Sequence, residues 1–486
     1  MADGKKAESQ EFTGWRSIFW PIHSTELKKF LPMALMMMGI LFNYSVMRGT
    51  KDSLVVTNMG AEVIPTLKLW FVLPAAVLFM IAYSKLSNAF SKNGVFYIVT
   101  SFFLAYFALF AVVLYPCVNS LTPDLISGVS SEFWKSLLLP IQGWVFSSFY
   151  VMAELWGSAM ISLMFWRFAN DVTSLNQSKR FYAMFGFVAN GALIVSGGVL
   201  KAVKNVSLVS GISVIVCVFI LAIYYWLNNY VLTDPRYFNP DEIKKPKKKV
   251  KLSLGESLKY ILSSKYLGYI VMLVVCYGVS INLVEVMWKD QVRLLCPTKE
   301  AFSGFMGGLQ IWTGAATIFF MLVGANILRR CSWFTAAMMT PLMVFVTGLI
   351  FFGCIIFKDA MSPMIGACCS LSILEVIAYV GLAQNVLAKG VKYSLFDSTK
   401  EMSYIPLDDE LKSKGKAAVD VIGGRAGKSG GAAINFLLLQ VCFIGSKLAE
   451  IAPVVAGIFI VIMLVWFYAV RGLNIEFLKI TAADKK

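Results

Sequence analysis

Gly423 to Gly431 reads GGRAGKSGG, a glycine-rich stretch around Gly-Lys-Ser. Residues of that type suggest a loop whose backbone N–H groups and lysine cradle a phosphate. The spacing argues against it. Counted back from Lys428, the leading glycine of such a loop falls at Ile422, so the loop starting at Gly423 is one residue short. Its N–H groups would not close around an anion in the usual way. The flanks, KAAVDVIGG and AAINFLLLQVCFIG, are also not a buried strand opening a soluble helix. What remains is cationic chemistry. Arg425 and Lys428 are three residues apart and share a helical face. Lys51 in MRGTKDSLVV, with Arg48 one turn earlier, supplies further positive charge. Glu154 in FYVMAELWGSAM and Glu285 in SINLVEVMWKD supply carboxylates among apolar neighbours, and Glu375 in SILEVIAYV has a similar setting.

Those charges must be placed on elements. The chain has 486 residues, of which 58% are hydrophobic and only 15% charged. Its mean hydropathy is +0.70. Soluble domains are about 45–50% apolar and about 25% charged. The surplus lies in long runs, so the fold class is an all-α polytopic membrane protein. Spans fall near 28–47, 64–86, 94–116, 140–168, 181–202, 207–229, 266–288, 302–327, 332–357, 361–388, 416–443 and 449–472, twelve transmembrane helices in all. Nine scattered cysteines form no CxxC pair and lie mostly inside apolar runs, which suits small buried hydrophobes. With a single histidine, His23, and no Ser/His or metal-ligand grouping, no catalytic residues, no enzyme activity, no metal and no cofactor are expected.

Lys and Arg crowd the N-terminus, the even-numbered loops and the C-terminus, which places both ends on the cytoplasmic side. The densest run, DEIKKPKKKVK from Asp241 to Lys251, separates spans six and seven. It reads as a solvated linker near anionic lipids, with no signature of nucleic-acid binding. The organisation is therefore a cytoplasmic amphipathic segment over 1–27, a six-helix bundle over 28–229, a basic linker over 230–265, a second six-helix bundle over 266–473 and a tail over 474–486. Six plus six is the major-facilitator-like plan of two halves. A short echo accompanies it: Lys51-Asp52 follows the first span and Lys289-Asp290 the seventh. The first 26 residues lack the apolar core of a signal peptide and are too short and too acidic for an organelle transit peptide.

A charge at the bilayer centre costs about 2.5–3.5 kcal/mol on insertion scales, so such residues face a cavity or one another. Glu154 has apolar residues on both sides for several turns. Glu285 has Lys289 at i+4, which also permits a plain helix pair. Lys51 also permits snorkelling from a span end. Gly423, Gly427 and Gly431 recur every four residues, the pattern of a close-packing seam. The two cations beside that seam either snorkel to the membrane surface or face a central cavity, where they imply an anionic ligand. Asn282, one turn before Glu285, suits a hydrogen bond to a bound ligand, and Tyr150 and Trp156 either pack on a ligand ring or face lipid.

NYSVMRGTKDSLVVT, FYVMAELWGS, YGVSINLVEVMWK, VKYSLFDSTKEMSYIPLDDELKSKGKAAVD and GKSGGA resemble the ATP/ADP translocase family of obligate intracellular bacteria and plastids. The resemblance runs from about Trp20 to Leu478. It implies exchange of host ATP for ADP, and the short N-terminus favours the inner membrane of an intracellular bacterium over a plastid. It also implies substrate-binding roles for Lys51, Glu154, Glu285 and Lys428. With it, Lys51 and Lys428, helped by Arg48 and Arg425, are expected to hold the phosphates, and Glu154 and Glu285 to neutralise the lysines between substrates. The partners are then ATP, ADP and the bilayer, and the carrier is expected to work as a monomer. One departure stands out: the family usually has Gln seven residues after the lysine of GKSGGA, and here that position is Asn435. It leaves the exact nucleotide open, the alternative being a proton-coupled importer of GTP, UTP or NAD. The orientation is checked by reporter fusions. Alkaline phosphatase joined after Asp124 is expected to be active and joined after Lys251 inactive; the reverse pattern overturns it.

Overall fold

The computed structural model describes residues 20–238, 264–368, 370–407, 415–416, 419 and 423–483. Every regular element among them is helical. The helices are α1 (Leu27–Met59), α2 (Ala61–Ala89), α3 (Lys92–Leu114), α4 (Glu132–Gln142), α5 (Trp144–Val172), α6 (Leu175–Ala202), α7 (Val206–Val231), α8 (Lys265–Leu295), α9 (Lys299–Arg330), α10 (Trp333–Ile356), α11 (Lys358–Cys368), α12 (Ile373–Ser403), α13 (Gly424–Leu437) and α14 (Ala452–Ala483). Among the described residues eleven are long and apolar enough to cross a membrane. A shorter apolar helix, Ser429–Cys442, falls inside the span expected over 416–443. Arg425, Lys428 and the glycines around them cut the apolar run short on its N-terminal side, and the chain turns soon after it, with Gly445 at φ 80°. The basic run Asp241–Lys251 and most of the N-terminal segment lie outside the described residues.

Apolar helices carry little signal of where they begin, and capping residues supply it. Ser91, Asn205, Ser264, Thr298 and Ser332 each accept a backbone N–H in the first turn of α3, α7, α8, α9 and α10. The same chemistry corrects the tenth span. The run expected over 361–388 is two helices, because Ser372 caps α12 and Glu375 closes a capping box with it. Glu375 is therefore a helix-start residue, its carboxylate taking the Ser372 N–H at 2.7 Å, rather than a buried mid-span acid. The cysteines also divide. Cys217, Cys276 and Cys354 are buried, whereas Cys117, Cys331 and Cys442 are exposed. Large apolar side chains such as Leu78, Val112, Ile215 and Tyr468 are exposed too, as in helices that face lipid.

The described chain separates into two compact units. The first holds residues up to Thr50, then Ala76–Leu121 and Met152–Lys247. Its core is aromatic. Trp156 donates its indole N–H to the Ile40 carbonyl at 3.0 Å and packs edge-on against Phe103 and Phe107. Trp156 is thus a fully buried core residue, and the expectation that it stacks on a ligand ring is corrected: it is 0% exposed and its one donor is taken. Arg180 grips Glu26 with two bonds of 2.6 and 2.8 Å, tying the start of α1 to α6.

The second unit holds Lys51–Ala75, Thr122–Val151 and Lys248–Lys486. Its centre is α8, which packs on α12, α13 and α14. Trp288 of α8 donates to the Ala378 carbonyl at 2.8 Å, and Gly381 of α12 leaves the space its indole fills. The α13 glycines form the expected seam, and its partner is α8. A Cβ at Gly278 would lie 2.7 Å from the Gly427 Cα, and one at Gly431 2.6 Å from the Asn282 Cβ. Backbone cannot yield there as a flexible side chain would, so Gly278→Val is expected to lose about 1–3 kcal/mol or more. Its thermal unfolding in detergent should fall clearly below that of Gly198→Ala, a helical glycine with open space around it. Equal midpoints would contradict the seam.

Candidate functional site

The second unit gathers charge around α8. Asn282, Glu285 and Lys289 follow Gly278 at intervals of four, three and four residues, so they line one stripe of the helix. The last turns of α1 bring Lys51 and Asp52, and the start of α5 brings Tyr150. All are buried: Lys51 is 3% exposed, Asp52 2%, Lys289 2% and Glu285 7%. Such groups persist in an apolar setting only when they neutralise one another.

The pairing is specific. Asp52 lies between two ammonium groups, with Oδ1 3.0 Å from Lys51 Nζ and Oδ2 2.8 Å from Lys289 Nζ. Lys289 also meets Glu285 Oε1 at 3.2 Å, the i,i+4 pair that the spacing permits. Lys51 Nζ stands 3.7 Å from the centre of the Tyr150 ring. A desolvated contact of that kind stabilises a cation by about 2 kcal/mol. Two lysines and two carboxylates cancel in charge. Removing one member strands another, at a cost of about 3–5 kcal/mol.

One turn below, Lys68 of α2 donates to the Asn282 side-chain oxygen at 2.6 Å, and the Asn282 amide donates to the Gly278 carbonyl at 2.8 Å. Asn282 thus holds a third ammonium at the site. Residues Ile64–Thr66 of α2 pack on α13, and Trp70 meets Phe436 edge-on at 6.3 Å. Gly427 lies on Gly278 and Gly431 on Asn282, so α8 and α13 run in parallel register. At equal rise per residue, Asn435 stands one turn beyond Gly431, level with Glu285. Asn435 is fully buried, and among the described residues neither of its amide atoms has a hydrogen-bond partner. The hydroxyl of Thr66 is in the same condition. Unpaired buried polar groups are costly, and they suit a polar ligand.

Of the residues singled out from sequence, this unit brings together Lys51, Glu285, Asn282, Tyr150 and Asn435. Arg48 and Glu154 are half-buried members of the first unit. Glu154 stands just before the π-helical stretch Gly157–Phe165, whose Gly157 makes room for the Tyr44 ring. The backbones of Arg425 and Lys428 lie in α13, and their side chains are outside the described residues. Asp52, Lys289 and Lys68 were not singled out. The repeated Lys-Asp pair ending the first and seventh spans carried the signal for the first two. The echo does not extend to the second acid, because Asp290 turns to Arg293 at 3.4 Å.

The arrangement is three ammonium groups from three helices, each held by a carboxylate or amide oxygen, beside buried amides. Such a site can exchange its own anions for those of a polyphosphate. The profile of the TLC ATP/ADP transporter family matches residues 5–477. ADP,ATP carrier protein 1 of Rickettsia prowazekii is 48% identical, with 97% of each chain covered. ADP,ATP carrier protein 1 of Chlamydia trachomatis is 45% identical, with 97% of this chain and 93% of that one covered. In fold, the chain is similar to a bacterial homologue of the iron transporter ferroportin in its inward-facing state. The TM-score is 0.55 at 14% identity, covering 93% of this chain and 98% of that one. It is also similar to a D-xylose-proton symporter, with a TM-score of 0.55 at 13% identity, covering 92% of this chain and 99% of that one. At these identities the likeness is one of fold, which is major-facilitator-like. The chain belongs to the TLC ATP/ADP transporter family.

Proposed function

We propose that this multi-pass membrane protein exchanges ATP for ADP by alternating access. The observation that carries the reading is the buried cationic cluster of Lys51, Lys289 and Lys68, placed beside the unpaired amide of Asn435 in a chain of this family. A nucleotide has the matching parts. Its phosphates suit the ammonium groups, and its base or ribose suits an amide that offers both a donor and an acceptor.

On this reading Lys51 and Lys428 hold the phosphates, with Arg48 and Arg425 as further cations. Tyr150 keeps the Lys51 ammonium in place by its ring face. Glu285 takes up the charge of Lys289, and Glu154 is assigned the matching role in the first unit. Two six-helix halves, 28–229 and 266–473, rock around the site, with both termini cytoplasmic. The membrane is the inner membrane of an intracellular bacterium, and the protein works as a monomer.

A site that is neutral with its own carboxylates and needs an anion to replace them favours exchange over leak, because an unliganded carrier keeps its charges locked. ATP and ADP differ by about one charge, so exchange feels the membrane potential at about 2.3 kcal/mol per 100 mV. The test is uptake of labelled ATP into proteoliposomes. Uptake is expected with ADP inside and not with a pH gradient alone; dependence on the gradient instead of internal ADP overturns the reading. Lys51→Ala removes a hydrogen bond from a charged donor and should cut exchange about 10- to 100-fold.

A further inference from the structure

We propose that Asp52 is an internal counter-anion that competes with the substrate's phosphate for Lys51, and that Lys289 is the positioning residue that draws Asp52 away. The inference rests on the nucleotide reading of the site and goes beyond it in naming the group the phosphate displaces.

The geometry carries it. Adjacent residues on a helix do not ordinarily face each other, yet the Lys51 ammonium and the Asp52 carboxylate meet at 3.0 Å. Both are turned toward Lys289 of α8, whose ammonium takes the other Asp52 oxygen at 2.8 Å. One carboxylate thus spans two cations through its two oxygens, the same bidentate geometry a phosphate offers. A phosphate oxygen reaching Lys51 contends with Asp52 Oδ1 for the same donor. Asp52 need not be left unpaired when it yields, because its second oxygen is already on Lys289. Lys289 in turn has Glu285 at 3.2 Å, so it is neutralised whether Asp52 is near or far.

The charge count gives the sign of each substitution. Lys51, Lys289, Asp52 and Glu285 sum to zero. Asp52→Asn makes the group +1 and removes the competitor, so phosphate binds tighter and leaves more slowly. Lys289→Gln makes it −1 and leaves Asp52 to Lys51 alone, so phosphate binds more weakly. The double variant is neutral again. A merely structural role has no reason to move the two single variants in opposite directions.

The experiment measures equilibrium binding of ATP and of pyrophosphate to purified protein, together with ATP/ADP exchange in proteoliposomes. Asp52→Asn is expected to tighten binding about tenfold while lowering kcat, and Lys289→Gln to weaken binding about tenfold. The double variant is expected near the wild-type affinity, and Asp52→Glu, which keeps the charge, is expected to shift affinity less than Asp52→Asn. Shifts of the two single variants in the same direction, or no shift in either, overturn the proposal. Where Asp52→Asn yields no folded protein, Lys289→Gln decides, since unchanged affinity there removes the competition. A wild-type protein that binds pyrophosphate but does not exchange ATP for ADP would instead count against the proposed function, and the opposite shifts in pyrophosphate affinity would still stand or fall separately.

Discussion

Two ammonium groups that are almost wholly removed from water share one carboxylate, and most of the second unit serves that arrangement. Neither Lys51 nor Lys289 can stay charged in an apolar bundle without a nearby anion. Asp52 and Glu285 supply it, and the four residues come from only two helices. The end of α1 must therefore lie against the stripe of α8 that carries Glu285 and Lys289. Tyr150 adds the face of its ring to Lys51, which draws the start of α5 to the same place. A polar knot of this kind is poor as a source of net stability, because desolvation offsets most of the attraction. Its use is positional: it sets where helices meet and leaves cations that an incoming anion can claim.

The glycine stretch that first suggests a phosphate loop contributes in another way. Gly427 and Gly431 let α13 approach α8 at backbone distance, and Gly278 reciprocates from the other helix. That closeness holds the two helices in parallel register and brings Asn435 level with Glu285. A bulky residue in the seam would separate the buried amide from the charges. The stretch thus serves close packing on one short helix, without the backbone cradle of a nucleotide-hydrolysing loop.

Much of the membrane plan was legible from hydropathy, because a helix in lipid must be apolar over a fixed length. The limits of that reading lie where polar residues interrupt a span. Ser372 and Glu375 look like mid-span residues in a linear scan, yet together they satisfy the first N–H groups of α12 and so mark its start. Trp156 looks like a platform for a ring because aromatic residues near a charge invite that role. Its partners, Phe103, Phe107 and the Ile40 carbonyl, come from distant parts of the chain and were invisible locally.

The residue types and their spacing determined by themselves that this chain crosses a membrane many times, that its cations and carboxylates sit where they are costly, and that α13 has a close-packing face. These follow from local rules of period, length and solvation. Only the tertiary structure decided which charges meet. Asp52 reaches Lys289 across 237 positions of sequence, and Lys68 reaches Asn282 across 214. Pairing at such separations depends on which helices pack together and in what register. That is a property of the bundle as a whole, and no single span encodes it.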